Sequence, residues 1–471
     1  MNIDHEKLSG AVPCRMEWDH DLLSGYSVDS SRYIVRPRVV VFPEDIGDVI
    51  RTVRFAAENG IGVTARGGGT GLVGGGIGDG IVIDMRGITG ISLEGGAVTV
   101  GAGTSKGALD KILLKNGRFL SPNPSVGPYC TLGGMIATNA GGSLALKYGS
   151  MIDNVLEIEF VDGLGRIHRF PDESDTSSAI LEIAGMIDRG RFPNVTKNSS
   201  GYRLDAVSSV TDIHKILAGS EGTLGIITSA KLRTFECPVT HRLIILGYES
   251  LYDATGDCMN LVNTGPECME LTDCDILRSV TGDIPGWAQY MLMIEYGDVA
   301  PGSIQAQNGR KIIDTCDHEE IKRWWRYRNS ALAREMGNVG AYRTPQIFED
   351  ATVPLKDLGK LIDVIEEMRD MFDVRLAIYG HFGSGNPHVV LTHKEWSMED
   401  VTEIAEWYFE RVIALGGTIT GEHGDGLART GFVRRQYGET NFAAFRQLKR
   451  MLDPRGVLNP GKVVTQDPNR L

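Results

Sequence analysis

The stretch ARGGGTGLVGGGIGDG, Ala65 to Gly80, decides how this chain is read. Gly69 to Gly74 fits G-x-G-x-x-G, the spacing of a dinucleotide fingerprint, but that fingerprint requires its third glycine to open a helix. Here the chain continues GGIGDG, and each glycine costs a helix about 1 kcal/mol relative to alanine. No helix is expected, so the Rossmann reading is rejected. A run of bare backbone N–H groups between strands is instead a nest for a diphosphate. The competing account is a flexible surface loop, which the tight bracketing by strands disfavours. Val39 to Phe42 reads as a buried strand. Pro43, Glu44 and Asp45 open a helix with Ile46, Val49, Ile50, Val53 and Ala57 on one face, and Gly60 stops it. Ile61 to Ala65 and Ile81 to Met85 read as two further strands.

A second α/β stretch follows, with a hairpin turning at Gly95-Gly96 and a helix from about Ser105 to Asn116. Glycines gather again at TLGGMIATNAGG, Thr131 to Gly142, and within His214 to Phe235, with a strand expected at Val155 to Val161 between them. From about Pro238 the clusters stop, and strands alternate with amphipathic helices. The expected division is 1–237, 238–416 and 417–471, with a boundary near Cys237. One long helix is expected over Leu355 to Phe372. Another should follow Ser397, which with Asp400 forms a capping box, and end at Gly416.

Composition bounds the function. The 471 residues are too many for one core. A net charge of −13 argues against nucleic acid, because phosphate binding needs a basic face. Fifty-nine glycines are about twice the usual share. The seven cysteines form no C-x-x-C pair, so neither an iron–sulfur cluster nor a structural zinc site is signalled. The opening MNIDHEKLSG lacks the apolar core of a signal peptide, and no apolar run reaches the ~18 residues that span a bilayer. A cytoplasmic location is expected. Peripheral association with the inner face of the membrane, and a homodimer, are left open.

RGGGTGLVGG, NPSVGPYCTLGGMIATNAGG and GSEGTLGIIT, in that order, resemble the three flavin-contacting segments of the vanillyl-alcohol oxidase/p-cresol methylhydroxylase superfamily. Within it the chain is most similar to the FAD-linked D-2-hydroxyacid dehydrogenases. The resemblance implies an α+β fold: a two-subdomain FAD-binding module, a ferredoxin-like cap over the substrate, and a C-terminal segment returning to the FAD module. For the flavin it implies Arg66, Gly67, Gly68, Gly69, Thr70 and Gly71 from the first segment. The second supplies Pro124, Ser125, Thr131, Gly133, Gly134, Thr138, Asn139, Gly141 and Gly142. The third supplies Glu221, Gly222, Gly225, Ile226 and Ile227, and the tail DPRGVLNPGK supplies Asn459 with Lys462 nearby. Some relatives attach FAD through a histidine in the first loop. Arg66 to Gly71 contains neither histidine nor cysteine, so non-covalent FAD is expected.

GHFGSGNPHVV, Gly380 to Val390, sets two histidines on either side of a turn-forming loop. Such a bend can bring both rings to one point, as a metal requires; a glycine-rich hairpin with incidental histidines is the plain alternative. The family pattern there is H-x-G-D-G-N-x-H followed downstream by E-H-G, matched here by His381, His388, Glu422 and His423. A strand over Val374 to Tyr379, one beginning at His388 and one over Thr418 to Thr420 would bring His381, His388 and Glu422 together. The resemblance implies that these three hold a divalent metal, zinc or manganese. Ser384 stands in place of the family's aspartate, which puts metal affinity in doubt, and Asp425 replaces an apolar residue. A 2-hydroxy acid would chelate the metal, His423 would take its hydroxyl proton, and FAD would accept the hydride. Arg343 is the first choice to hold the carboxylate and Arg328 the second. The electron acceptor is left among quinone, a partner flavoprotein, a separate iron–sulfur subunit and oxygen. Two other readings compete: a non-catalytic or partner-dependent FAD subunit with a weakened metal site, and a zinc hydrolase without flavin, which leaves the glycine segments unexplained.

Overall fold

The computed structural model describes residues 3–338, 346–392 and 396–465. Its first layer grows from the valine and isoleucine runs that flank the glycine loop. Strands β1 (Arg15–Glu17), β2 (Val39–Phe42), β3 (Val63–Arg66) and β4 (Ile81–Asp84) form one sheet in the order β1-β2-β4-β3. β2, β4 and β3 run parallel, as a helical crossover between strands requires. The crossover helix, Ile46–Asn59, is capped by the Asp45 carboxylate on Asp48 N–H and closed by Gly60 at φ +63°. Between Gly67 and Gly80 the chain bends and turns without forming a helix. The loop is no loose excursion, for Val73 is buried in the cap core.

A second, antiparallel sheet is built from β5 (Ile91–Glu94), β6 (Ala97–Gly101), β8 (Val155–Val161), β9 (Ile167–Phe170) and β10 (Ile226–Arg233), in the order β5-β6-β10-β8-β9. The short strands β7 (Arg118–Phe119) and β11 (Phe235–Glu236) pair separately at its margin. Phe160, Ile158 and Leu232 pack beneath it against Leu109, Leu113 and Ile136. The expected helix at Ser105 is present as Lys106–Lys115, with the Ser105 hydroxyl accepting from Ala108 N–H.

The third layer is the cap. Strands β12 (Arg242–Tyr248), β13 (Cys268–Asp273), β14 (Tyr290–Tyr296), β15 (Arg310–Thr315), β16 (Arg375–His381) and β17 (Asn386–Thr392) form a sheet ordered β15-β12-β14-β13-β16-β17. Its first four strands stand in the ferredoxin-like order, and the β16/β17 hairpin extends the β13 edge. Helices Leu251–Leu261, Leu358–Phe372 and Met398–Ala414 cover one face. The last starts at the Ser397/Asp400 capping box. The helix expected from Leu355 begins as a 3-10 turn, Leu355–Asp357, before the α-helix. The helical segment Gly426–Leu452, kinked at Gly438 where φ is +73°, leaves the cap core at Ala428 and Phe432 and enters the second subdomain core at Tyr437 and Phe445. The tail after it returns to the first sheet, where Asn459 N–H donates to Val63 O.

The strand expected over Thr418 to Thr420 is absent. Thr418 makes one isolated bridge with Thr352, and the segment to Asp425 is irregular. The reason lies in side chains that take the backbone donors of this segment. Within the expected strand, Ile419 N–H donates to Gln436 Oε1 instead of to a neighbouring strand; just beyond it, the Asp350 carboxylate accepts from the N–H groups of Glu422 and His423 and from Thr420 Oγ1, so the ladder does not continue. No helix among the described residues is long and apolar enough to cross a membrane.

Candidate active site

The three glycine segments and one edge of the cap sheet enclose a cavity of about 590 Å³. Close backbone approach explains why glycine is needed there. A Cβ on Gly67 would fall 2.1 Å from Thr131 Oγ1, and one on Gly68 would fall 2.3 Å from the Tyr129 carbonyl. The first segment thus lies directly on the loop that opens the second. Thr131 accepts from Gly134 N–H and caps the helix Leu132–Ala137. Nineteen of the residues expected to touch the flavin line this cavity: Arg66 to Gly71, Pro124, Ser125, Thr131, Gly133, Gly134, Thr138, Gly141, Gly142, Glu221, Gly222, Gly225, Ile226 and Ile227.

Two of the expected residues do not line it. Asn139 is buried behind the wall, where its side chain donates to Asn198 O and accepts from Ile152 N–H. Asn459 donates to Gly75 O and Glu221 O, tying the first and third segments together from outside the cavity. Lys462, its neighbour, donates to Ile77 O and Asn459 Oδ1. Burial lowers the pKa of Lys462 to about 8. Both asparagines sit at positive φ, a conformation asparagine tolerates better than most residues. Their place in glycine-rich turns has a backbone reason.

At the cap end, β16 finishes on His381 and β17 carries His388, with Tyr379 paired to His388 across the hairpin. β17 begins at Asn386, two residues earlier than expected. Glu422 and His423 come from the irregular segment that Asp350 holds. Glu422 Oε2 accepts from Gly142 N–H at 2.7 Å and from Lys197 Nζ at 2.9 Å. Its other oxygen, Oε1, faces His381 Nε2 at 3.0 Å, His388 Nε2 at 3.6 Å and His423 Nε2 at 3.7 Å. Ligand atoms ~2.0–2.1 Å from a tetrahedral ion stand roughly 3.3 Å apart, so this spacing and donor set fit a divalent cation. Asp350, His388, Glu422 and His423 likewise offer one ligand atom each within 4.8 Å of one another.

Carboxylates stand behind the imidazoles. His381 Nδ1 meets Glu270 Oε1 at 2.5 Å, and His423 Nδ1 meets Glu349 Oε1 at 2.9 Å. His388 Nδ1 lies 3.7 Å from Asp350 Oδ1, too far for a hydrogen bond. The arrangement directs an Nε2 from each ring toward Glu422. Burial opposes charge on His423 most strongly, yet Asp350 and Glu349 raise its pKa to about 9. Burial lowers that of His388. Glu422, despite its burial, is held well below the usual carboxylate range by Lys197 and His381.

Arg328 lines the cavity, with Nη2 on Glu270 Oε2 at 2.6 Å. Arg343 lies outside the described residues. Ser384 is buried, and its hydroxyl has no hydrogen-bond partner, so it orients neither imidazole. Asp425 accepts from Gly201 N–H, and burial together with Glu221 raises its pKa to about 7. The sequence reading missed Lys197, Glu270, Glu349 and Asp350. Glu270 alone left a signal, as a carboxylate inside the apolar strand CMELTD.

Comparison with known proteins gives a consistent picture. Residues 37–171 match a family model described as FAD binding domain, and residues 238–463 match FAD linked oxidases, C-terminal domain. D-lactate dehydrogenase of Archaeoglobus fulgidus is 31% identical over 460 residues, covering 93% of this chain and 95% of that protein. Glycolate oxidase subunit GlcD of Bacillus subtilis is 28% identical, covering 94% and 93%. D-2-hydroxyglutarate dehydrogenase of Pseudomonas putida is 30% identical over 93% of this chain, which spans 49% of that protein's length. The solved structure of an alkyldihydroxyacetonephosphate synthase superposes with a TM-score of 0.66 at 15% identity, covering 98% of this chain and 85% of that one. At that identity the likeness speaks for the fold alone.

Proposed function

Given that this chain belongs to the FAD-linked D-2-hydroxyacid dehydrogenase family, we propose that it oxidises a D-2-hydroxy acid, D-lactate or glycolate, to the 2-oxo acid. The observation that carries the reading is the convergence of His381, His388 and His423 Nε2 on Glu422 Oε1, at one end of a cavity whose walls are the three glycine segments. FAD supplies a two-electron acceptor when bound there, and a divalent cation at Glu422 supplies Lewis acidity to the substrate hydroxyl. His381, His388 and Glu422 are the residues we assign to the cation. We assign Arg328, which lines the cavity with Nη2 on Glu270 Oε2 and Nη1 on Asn329 Oδ1, to the substrate carboxylate as a charge-assisted donor. Glu349 accepts from His423 Nδ1 and turns Nε2 toward the hydroxyl; Asp350 and Glu349 hold the ring charged without a metal, and a divalent cation at Glu422 would offset them so that Nε2 can take the hydroxyl proton.

Anaerobic mixing of the yellow protein with D-lactate, glycolate and L-lactate tests the reading. Bleaching of the flavin by one of the first two is expected. Elemental analysis should find one divalent ion per chain in the wild type and a depleted content in His388→Ala. A flavin that stays oxidised with every D-2-hydroxy acid, or equal metal in both proteins, would reverse the assignment.

A further inference from the structure

We propose that Glu270 is a positioning residue that aims His381 and Arg328 together and so couples metal binding to recognition of the substrate carboxylate. The proposal rests on the reading above, in which His381 faces a divalent cation and Arg328 faces the substrate. β13 and β16 pair with Leu271 opposite Gly380 and Thr272 opposite Tyr379, which sets Glu270 opposite His381. Met269 and Leu271, its neighbours in the strand, lie in the cap core, so strand alternation turns Glu270 to the other face, toward the site. Its side chain is fully buried, and it does not line the cavity. It acts only through the two residues it holds.

The two bonds leave from different oxygens. Oε1 meets His381 Nδ1 at 2.5 Å, and Oε2 accepts from Arg328 Nη2 at 2.6 Å. The first bond fixes the imidazole with Nδ1–H toward the carboxylate, leaving the Nε2 lone pair toward Glu422. The second anchors a guanidinium whose Nε is buried without a hydrogen-bond partner. One rigid carboxylate therefore sets both directions. A shift of His381 on metal binding turns the plane on which Arg328 rests, and a shift of Arg328 on substrate binding turns His381. An amide cannot replace it, because its NH₂ end must face one of two donors.

The test uses the full chain with FAD bound and Mn²⁺ or Zn²⁺ as the probe. Metal affinity is measured by chelator competition with no hydroxy acid present, and KM for D-lactate is measured at saturating metal. Glu270→Gln should keep its flavin spectrum, bind metal roughly 10–100-fold more weakly, and show a raised KM even when metal is saturating. Arg328→Lys carries the sharper result: its metal affinity should fall several-fold, although the arginine is not a ligand. Glu270→Asp, shorter by one methylene, should fall between, and it serves if the glutamine variant does not fold. Metal affinity within twofold of wild type in Arg328→Lys, or no change in metal affinity and KM in both Glu270 variants, would overturn the proposal alone. A wild-type protein that takes up no divalent ion would overturn it together with the reading beneath it.

Discussion

Lys197 Nζ lies 2.9 Å from Glu422 Oε2, and the lysine side chain has no solvent exposure. The ammonium and the Gly142 N–H occupy one oxygen of the carboxylate and leave Oε1 to the imidazoles. Removing one member of a buried ion pair costs about 3–5 kcal/mol, because the other charge stays buried and unpaired. Lys197→Met should lose stability of that order in metal-free protein. Excess divalent metal should recover a large part of the loss, since the cation would replace the ammonium as partner of Glu422. Urea unfolding with chelator and with metal measures both. An equal loss under the two conditions would mean that no cation reaches Glu422.

The glycine loop makes the second prediction. Gly68 has a backbone carbonyl where its Cβ would stand, at 2.3 Å, so Gly68→Ala must push the first segment off the second. FAD retention should drop sharply while the cap, with its separate core, stays folded. In the wild type, acid precipitation should release the yellow colour into the supernatant, since Arg66 to Gly71 contain no residue to form a flavin link. Colour retained in the pellet would contradict non-covalent binding. Full FAD occupancy in Gly68→Ala would contradict the role of the close approach.

Why the loop was legible and Glu270 was not is a matter of range. Asp45, Ser105 and Ser397 accept from N–H groups, and Gly60 N–H donates to Ala56 O, all within four residues, so helix ends can be read from neighbouring letters. The glycine run forbade a helix by local backbone cost alone. His381 and His388 belong to one hairpin, so their convergence followed from the turn between them. By contrast, Lys197 meets Glu422 across 225 positions and Glu270 meets His381 across 111. A carboxylate inside an apolar strand hints at Glu270 itself, but no local pattern names the partner in either pair, because burial makes each polar group depend on a distant one. The strand expected before Glu422 failed for the same reason, with Gln436 taking Ile419 N–H from 17 positions away and Asp350 taking the N–H groups of Glu422 and His423 from 72 and 73. Asn139 and Asn459 were drawn to the flavin by their motifs, whereas their side chains satisfy backbone groups behind the wall.

Asp273 provides a pH test away from the site. It caps the helix Cys274–Arg278 by accepting from Asp275 N–H, yet burial, helped by the Asp275 carboxylate and opposed by that bond, raises its pKa to about 6. The folded chain therefore binds more protons than the unfolded chain between about pH 4 and 6, and stability falls as pH rises through that window. Above it the penalty is constant. Asp273→Asn keeps an acceptor for the cap and removes the charge. The variant should exceed wild type by about 1–2 kcal/mol at pH 7, and the advantage should vanish near pH 4. An advantage independent of pH, or a loss at pH 7, would show that Asp273 is not strained by its charge.

The last prediction concerns His423 and handedness. His423 stacks on His388 with ring centroids 5.1 Å apart, and Glu349 fixes its Nδ1 side. Its Nε2 faces the same point as the groups assigned to the cation. In the proposed reaction a hydroxyl held there gives its proton to His423, and the hydrogen on the same carbon would point along the cavity toward the glycine segments. With the hydroxyl, the carboxylate and that hydrogen all fixed, only one enantiomer fits, and the other presents its hydroxyl or side chain where the hydrogen should be. The family assignment makes it the D form. His423→Asn should keep FAD and reduce it roughly 10²–10⁴-fold more slowly, the usual contribution of a positioned general base. Stopped-flow reduction under nitrogen measures this directly. A rate within a few-fold of wild type would remove His423 from proton transfer, and faster reduction by L-lactate than by D-lactate would invert the geometry assigned to the whole site.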